Sequence, residues 1–258
     1  LDINVKAFEI DEVTAAVATY NLSPFENAIV EQADVTTLDL SKFEGLFFDP
    51  ARRELGGPSR ERATRKFDPA AFSPTFDFVV EAAAKKPTGV KFGPGHPHEG
   101  IPANAEAQWV SIDGDLVELG LWFGAVARPD VKRSALLISG STKHEIISHS
   151  AERQDAPIGE LGDYVYEPDN SVVRSHLIGQ LAEQIEAHLF APEIAYLTSD
   201  KEISSPWLKG YKVLDNLVFD RKKLKAYLRE RNIGVLEIKK RGSDIVPEQL
   251  RKELALKG

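Results

Sequence analysis

Residues 3–21 read INVKAFEIDEVTAAVATYN, and this stretch decides the fold class. Ile3, Val5 and Ala7 alternate with Asn4 and Lys6, which predicts a short strand through Phe8 with Glu9 at its C-terminal end. Asp11 follows as a helix N-cap. Val13, Ala16, Val17 and Tyr20 then recur at three- and four-residue spacing, predicting a helix from Glu12 to Asn21. Residues 28–32 read as a second strand running towards Asp34, and residues 45–48 as a third that stops at Asp49-Pro50. Strand, helix, strand, strand implies an α/β sheet with parallel strands.

Working outward, residues 51–74 are rich in Arg, Pro, Gly and Ser and read as a long loop, a kind that is usually functional. A helix is expected over 75–85 and a strand over 89–92, followed by the turn-rich Gly93-Pro-Gly-His-Pro-His. Strands over 109–112 and 116–123 flank Asp113-Gly114, a hairpin signal. Another strand is expected over 135–139, whereas 144–153 shows no period. Residues 171–188 predict one helix, and a short strand should end near Thr198. The end of the chain predicts a strand over 211–219, a helix capped by Asp220 and stopped by Asn232-Gly234, a strand over 235–240, and a last helix starting at Pro247.

Composition excludes several chemistries. The 258 residues contain no cysteine, so disulfides, Cys-rich zinc sites and thiol nucleophiles are ruled out, and a reducing cytoplasm is the expected location. Apolar runs fall short of the ~18–20 residues of a membrane span, so no membrane partner is expected. Methionine is absent even at position 1, which suggests a trimmed or internal piece of a longer chain. The net charge of −8 is uneven: residues 205–258 hold 14 Lys and Arg against 7 Asp and Glu, leaving 18 against 33 for the rest. A basic tail on an acidic body suggests an anionic partner, and a solvated helix face is the competing reading.

Three acids stand at predicted strand ends: Glu9, Asp34 and Asp49. Ligands of open α/β sheets bind outside those ends, where one carboxylate can accept both ribose hydroxyls and another an adenine amino group. That spacing suits an adenosyl group. For Asp11, helix capping is the better reading. His96 and His98 lack an acidic third ligand at fixed spacing, so no metal is expected. Trp109, Trp122 and Trp207 read as core or interface aromatics.

The segment Phe8-Glu9-Ile10-Asp11-Glu12, with Ala15-Ala16 and Asn21, resembles the part of class I methyltransferases that follows their Gly-rich loop. Ala33-Asp34-Val35 is similar to their adenine-contacting segment, and Phe47-Phe48-Asp49-Pro50-Ala51-Arg52-Arg53 to their substrate-facing strand end. The chain more narrowly resembles bacterial methyltransferases with a C-terminal THUMP-like domain. It shares with them Lys91-Phe92-Gly93-Pro94-Gly95, Tyr164-Val165-Tyr166-Glu167-Pro168 and Glu237-Ile238-Lys239-Lys240-Arg241-Gly242. The first strand and Gly-rich cofactor loop of that family have no counterpart here.

The resemblance implies a Rossmann-like methyltransferase domain over 1–155 lacking its first strand, a helical connection over 156–189, and a basic α+β THUMP-like module over 190–258. It implies S-adenosyl-L-methionine as cofactor, held by Glu9, Ile10, Asp34, Val35 and Asp49, with Asp49 and Pro50 at the reacting centre. The second Pro and aromatic of amine methyltransferases are replaced by Ala51 and Arg52, and no Cys is present for pyrimidine C5 attack. What remains is direct attack by a nitrogen or oxygen, with Asp49 orienting the acceptor or taking its proton. Arg52 and Arg53 either hold a substrate phosphate or make a structural salt bridge. Lys91 is a candidate substrate contact. Lys222, Lys223, Lys239, Lys240 and Arg241 fit backbone phosphates, and the THUMP resemblance points to RNA, either tRNA or rRNA, as partner. The rival expectation is a non-catalytic RNA-binding protein with a degenerate methyltransferase core.

Overall fold

The computed structural model describes residues 3–51 and 72–256. The chain divides into two compact units, Leu1–Ala151 and Glu152–Gly258. Among the described residues no helix is long and apolar enough to cross a membrane.

The first unit begins with β1 (Val5–Glu9), α1 (Glu12–Leu22) and β2 (Ala28–Gln32). Asp11 caps α1, its Oδ1 accepting from the Thr14 amide at 2.8 Å and the Thr14 hydroxyl at 2.7 Å. The helix carries the chain back so that β2 lies parallel to β1, with Val5 opposite Ala28 and Glu9 opposite Gln32. Next come β3 (Leu46–Phe48), α2 (Phe76–Ala83), β4 (Thr88–Phe92), β5 (Glu106–Ile112), β6 (Asp115–Phe123), β7 (Arg133–Ser139) and β8 (Thr142–Ser148). The last six strands form one mixed sheet in the order β3-β4-β6-β5-β7-β8, while β1 and β2 form a separate pair. Among the described residues the outer edges of β1, β2 and β3 carry no further strand.

The apolar row of α1 forms at the expected spacing but is not buried. Val13, Val17 and Tyr20 are 70%, 54% and 80% exposed, and only Ala15 is buried. Two 3-10 turns, Val35–Thr37 and Leu40–Lys42, carry Val35 and Leu40 onto the core of the larger sheet, and Phe8 meets Phe43 edge to face at 5.7 Å. That core gathers Val79 of α2, Val90 and Phe92 of β4, Trp109 of β5, and Leu119, Leu121 and Phe123 of β6. Each such side chain contributes ~1.5–3 kcal/mol on burial. The β5–β6 hairpin turns through Asp113 and Gly114, whose φ values of 50° and 89° supply the left-handed pair this turn needs. Strand β8, unsignalled in the sequence, is an edge strand of mostly polar residues. Its Glu145 and the buried Glu106 share Arg128, at 2.7 and 2.6 Å.

The second unit holds β9 (Tyr164–Pro168), α3 (Asn170–Arg174), α4 (Ile178–Gln184), β10 (His188–Leu189), β11 (Leu197–Ser199), β12 (Leu208–Lys212), α5 (Arg221–Glu230) and α6 (Pro247–Leu254). Its antiparallel sheet has the order β10-β11-β9-β12. Where one helix was expected over 171–188 there are two, because His176 adopts φ 61° and the Leu177 amide turns back to the Val172 carbonyl, closing α3. The expected strand over 211–219 ends at Lys212. Beyond it Leu214, Leu217, Val218 and Phe219 are exposed and pair with no strand among the described residues. The expected strand over 235–240 keeps its alternation, with Leu236 and Ile238 on the core of Leu228, Leu250 and Leu254, but it joins no ladder among the described residues. Asp220 caps α5 as expected, accepting from the Lys223 amide at 2.8 Å, and Asn232 with φ 55° ends it.

Candidate active-site crevice

Seven of the residues singled out above lie at or just beyond strand ends: Glu9 and Ile10 at β1, Asp34 and Val35 after β2, Asp49 and Pro50 after β3, and Lys91 near the end of β4. Glu9 is the last residue of β1, and its backbone carbonyl takes the Ala33 amide at 2.9 Å, closing the β1–β2 ladder. Its Oε1 accepts from the Asp11 amide at 3.0 Å, which draws the carboxylate towards the start of α1. Among the described residues its second oxygen takes no hydrogen bond. Ile10, next along, is 47% exposed.

Asp34 lies two residues beyond β2. Its Oδ1 accepts from the Thr36 amide at 2.9 Å and the Thr36 hydroxyl at 2.7 Å. The Thr36 hydroxyl and amide hold its pKa below the usual value. Asp34 therefore already caps the turn that seats Val35 on the core. Capping, preferred for Asp11 alone, thus applies to Asp34 as well, with its other oxygen left for a ligand.

Asp49 follows β3 directly. The parallel register sets Phe48 opposite Val90, which brings Asp49 beside Lys91, and Lys91 Nζ lies 3.2 Å from Asp49 Oδ2. Both side chains are open to solvent, 53% and 41% exposed. Pro50 is buried, and Ala51 forms an antiparallel bridge to Ser73 with amide-to-carbonyl bonds of 2.8 and 3.1 Å. Arg52 and Arg53 lie outside the described residues.

An aromatic floor that the sequence reading missed underlies this strand end. Phe48, Phe72, Phe76 and Phe92 are buried together, with Phe76 edge-on to Phe92 at 5.0 Å. Phe72 precedes α2 and reaches Phe92 across the fold, so no local spacing announced the floor. His96 joins the floor, stacked on Phe92 at 4.7 Å, and burial pushes its pKa down. His98 stacks on Trp109 at 4.9 Å. Among the described residues no three His, Asp or Glu side chains cluster as a metal site requires.

The donor set fits the adenosyl half of a nucleoside-type cofactor. Glu9 offers a partly unspent carboxylate at one strand end, and Asp34 a second beyond the neighbouring one.

In the second unit, Lys222 and Lys223 occupy the exposed first turn of α5 and make no ion pair among the described residues. Lys239 is tied to Glu167 at 2.5 Å and Glu237 at 3.1 Å, Arg241 lies 3.9 Å from Glu167, and Lys240 Nζ donates to the Ser243 carbonyl at 3.1 Å. Two of the five cations expected to meet phosphates thus face carboxylates of their own chain.

Comparison with known proteins places this geometry. The THUMP domain-like family matches residues 208–258, so the C-terminus carries a THUMP-like domain. Over its whole length the chain is 28% identical to a protein from two strains of Mycobacterium tuberculosis, named an uncharacterised S-adenosylmethionine-dependent methyltransferase. It spans 69% of that relative. The fold is shared with a crystal structure from Porphyromonas gingivalis, titled as a methyltransferase candidate. The TM-score is 0.76 at 18% identity, over 98% of this chain and 66% of the other. The chain thus spans about two thirds of the length of the proteins it matches. The resemblance seen in the sequence, to S-adenosylmethionine-dependent methyltransferases with a THUMP-like C-terminus, holds.

Proposed function

We propose that this chain acts as an S-adenosylmethionine-dependent methyltransferase on a nitrogen or oxygen of RNA. The observation that carries the reading is the set of carboxylates at the C-terminal ends of two parallel strand pairs: Glu9 ending β1, Asp34 two residues beyond β2, and Asp49 following β3. Ligands of open α/β sheets lie there. Bound S-adenosylmethionine supplies an electrophilic methyl group.

Glu9 would accept the ribose hydroxyls, with Ile10 beside it, and Asp34 and Val35 would hold the adenine. Asp49 orients the acceptor and takes its proton, while Lys91 at 3.2 Å fixes one carboxylate oxygen and leaves the other for substrate. Buried Pro50, held by the Ala51–Ser73 bridge, sets the direction in which Asp49 leaves the strand. With no Cys in the chain, transfer is direct, and alignment and exclusion of water do most of the work. The basic C-terminus brings the RNA, a role supported by the THUMP-like match.

One observation favours a second reading: Asp34 is already engaged as a turn cap by Thr36 and Asp49 by Lys91, as suits an RNA-binding protein whose methyltransferase core is inactive. Incubating the full-length gene product with methyl-labelled S-adenosylmethionine and bulk RNA separates the two. Label in RNA that falls at least about 100-fold in Asp49→Asn supports catalysis. RNA binding with no label transferred supports the inactive core.

A further inference from the structure

Strand β9 alternates. Tyr166 is buried at 1% exposure, its hydroxyl donating to the Lys201 carbonyl and accepting the Ile203 amide, while Glu167 faces the other side. On that side three groups meet the Glu167 carboxylate, and a fourth, a cation, stands across the strand pair. Lys239 Nζ lies 2.5 Å from Oε2, Arg241 Nη2 3.9 Å from Oε1, and the Tyr196 hydroxyl donates to Oε1 at 3.3 Å. Lys209, the cross-strand partner of Glu167 on β12, completes the set. Aromatic rings back the cations: Tyr211 lies beneath Lys209 and Lys239 at 5.7 and 5.8 Å, and Tyr196 beneath Arg241 at 5.7 Å.

This is the arrangement of an oxyanion receptor, with an intrachain carboxylate seated in it. We propose that Lys239, Arg241 and the Tyr196 hydroxyl form a binding site for a backbone phosphate of RNA, and that Glu167 fills it until RNA displaces it. The proposal rests on the RNA reading above and deepens it into a self-masked site.

Three features separate a displaceable plug from a structural clamp. Arg241 contacts Glu167 only at 3.9 Å, is 54% exposed, and makes no hydrogen bond among the described residues, so its donor fork is unspent. A phosphate can engage that fork with two parallel bonds. The group also lies at the surface, with Glu167 23% and Lys239 30% exposed, so exchange needs no opening of the core. Finally, three cations face two carboxylates, Glu167 and Glu237, and the site keeps an excess positive charge even while plugged.

The test uses the whole chain and a fluorescent single-stranded uridine oligonucleotide, read by anisotropy over a series of salt concentrations. Glu167→Gln should bind about three- to tenfold tighter, with a salt slope steeper by about 0.7 for one added phosphate contact. Arg241→Gln should bind more weakly with a shallower slope. Because Arg241 is largely exposed, that variant decides the matter if Glu167→Gln fails to fold by circular dichroism. If both bind as the parent does while Lys222→Gln/Lys223→Gln binds less, the plug is overturned and the RNA reading stands. If no version binds the oligonucleotide, both are overturned.

Discussion

Replacing Arg128 by Met should destabilise the first unit markedly. Glu106, on β5, is 3% exposed, and three donors from Arg128 hold it: the amide to Oε2 at 2.8 Å, and Nε and Nη2 to Oε1 at 2.9 and 2.6 Å. The same guanidinium takes Glu145 at 2.7 Å. Removing one partner of a buried pair costs ~3–5 kcal/mol, because the remaining charge stays buried. Two features place this case at the lower end: Arg128 is 37% exposed, so solvent screens part of the interaction, and its amide survives the substitution. A loss of ~3 kcal/mol corresponds to a fall in Tm of about 6–12 °C.

The loss should depend on pH. Burial pushes the Glu145 carboxyl up, but hydrogen bonds from Arg128 and Gln108 outweigh it and hold the pKa below the ordinary value. A lowered folded-state pKa adds stability that is complete above the unfolded-state value of ~4.3 and fades as pH falls through the folded one. The gap between parent and Arg128→Met should therefore be full at pH 7 and shrink below pH ~4. Urea unfolding followed by tryptophan fluorescence at both pH values is the assay. A gap under ~1 kcal/mol at pH 7 would refute the claim that Glu106 depends on Arg128.

Other predictions bear on the site and its support. A Cβ on Gly100 would meet His96 Nε2 at 2.9 Å, so Gly100→Ala should displace the ring from Phe92, seen as a shifted imidazole resonance and a pKa returning towards ~6.5. Tyr166→Phe strips the buried hydroxyl from the Lys201 carbonyl and Ile203 amide, and should cost ~1–3 kcal/mol in denaturant unfolding of the second unit. Lys91→Met should lower methyl transfer by altering kcat more than KM, since Lys91 acts through Asp49. Equal loss of binding and rate would place it on the substrate instead.

Local signals made much of this legible. Asp11 and Asp220 cap their helices through amides three residues on, a contact the sequence displays directly. The β1-α1-β2 unit was readable because alternation gives way to helical spacing at a cap. Other features depended on distant partners. β9 was missed because Tyr164–Pro168 is short and becomes a central strand only by pairing with β11 and β12 on either side. The run over 213–219 is apolar enough to suggest a strand, yet no neighbour pairs with it. The break between α3 and α4 falls at His176, whose left-handed backbone no Gly or Asn announces. At the site, the Asp49–Lys91 pair follows from strand register across 42 positions, and Lys239 meets Glu167 across 72. Both lie beyond any local pattern.

The central claim is that the ends of β1, β2 and β3 hold S-adenosylmethionine. Calorimetric titration of this chain and of the full-length gene product with S-adenosylmethionine tests it most directly, with Glu9→Gln beside the parent. The account predicts saturable binding by the gene product that weakens about 10- to 100-fold in Glu9→Gln, the loss of charge-assisted bonds worth ~1.5–3 kcal/mol. Absence of binding, or binding that Glu9→Gln leaves unchanged, would contradict it.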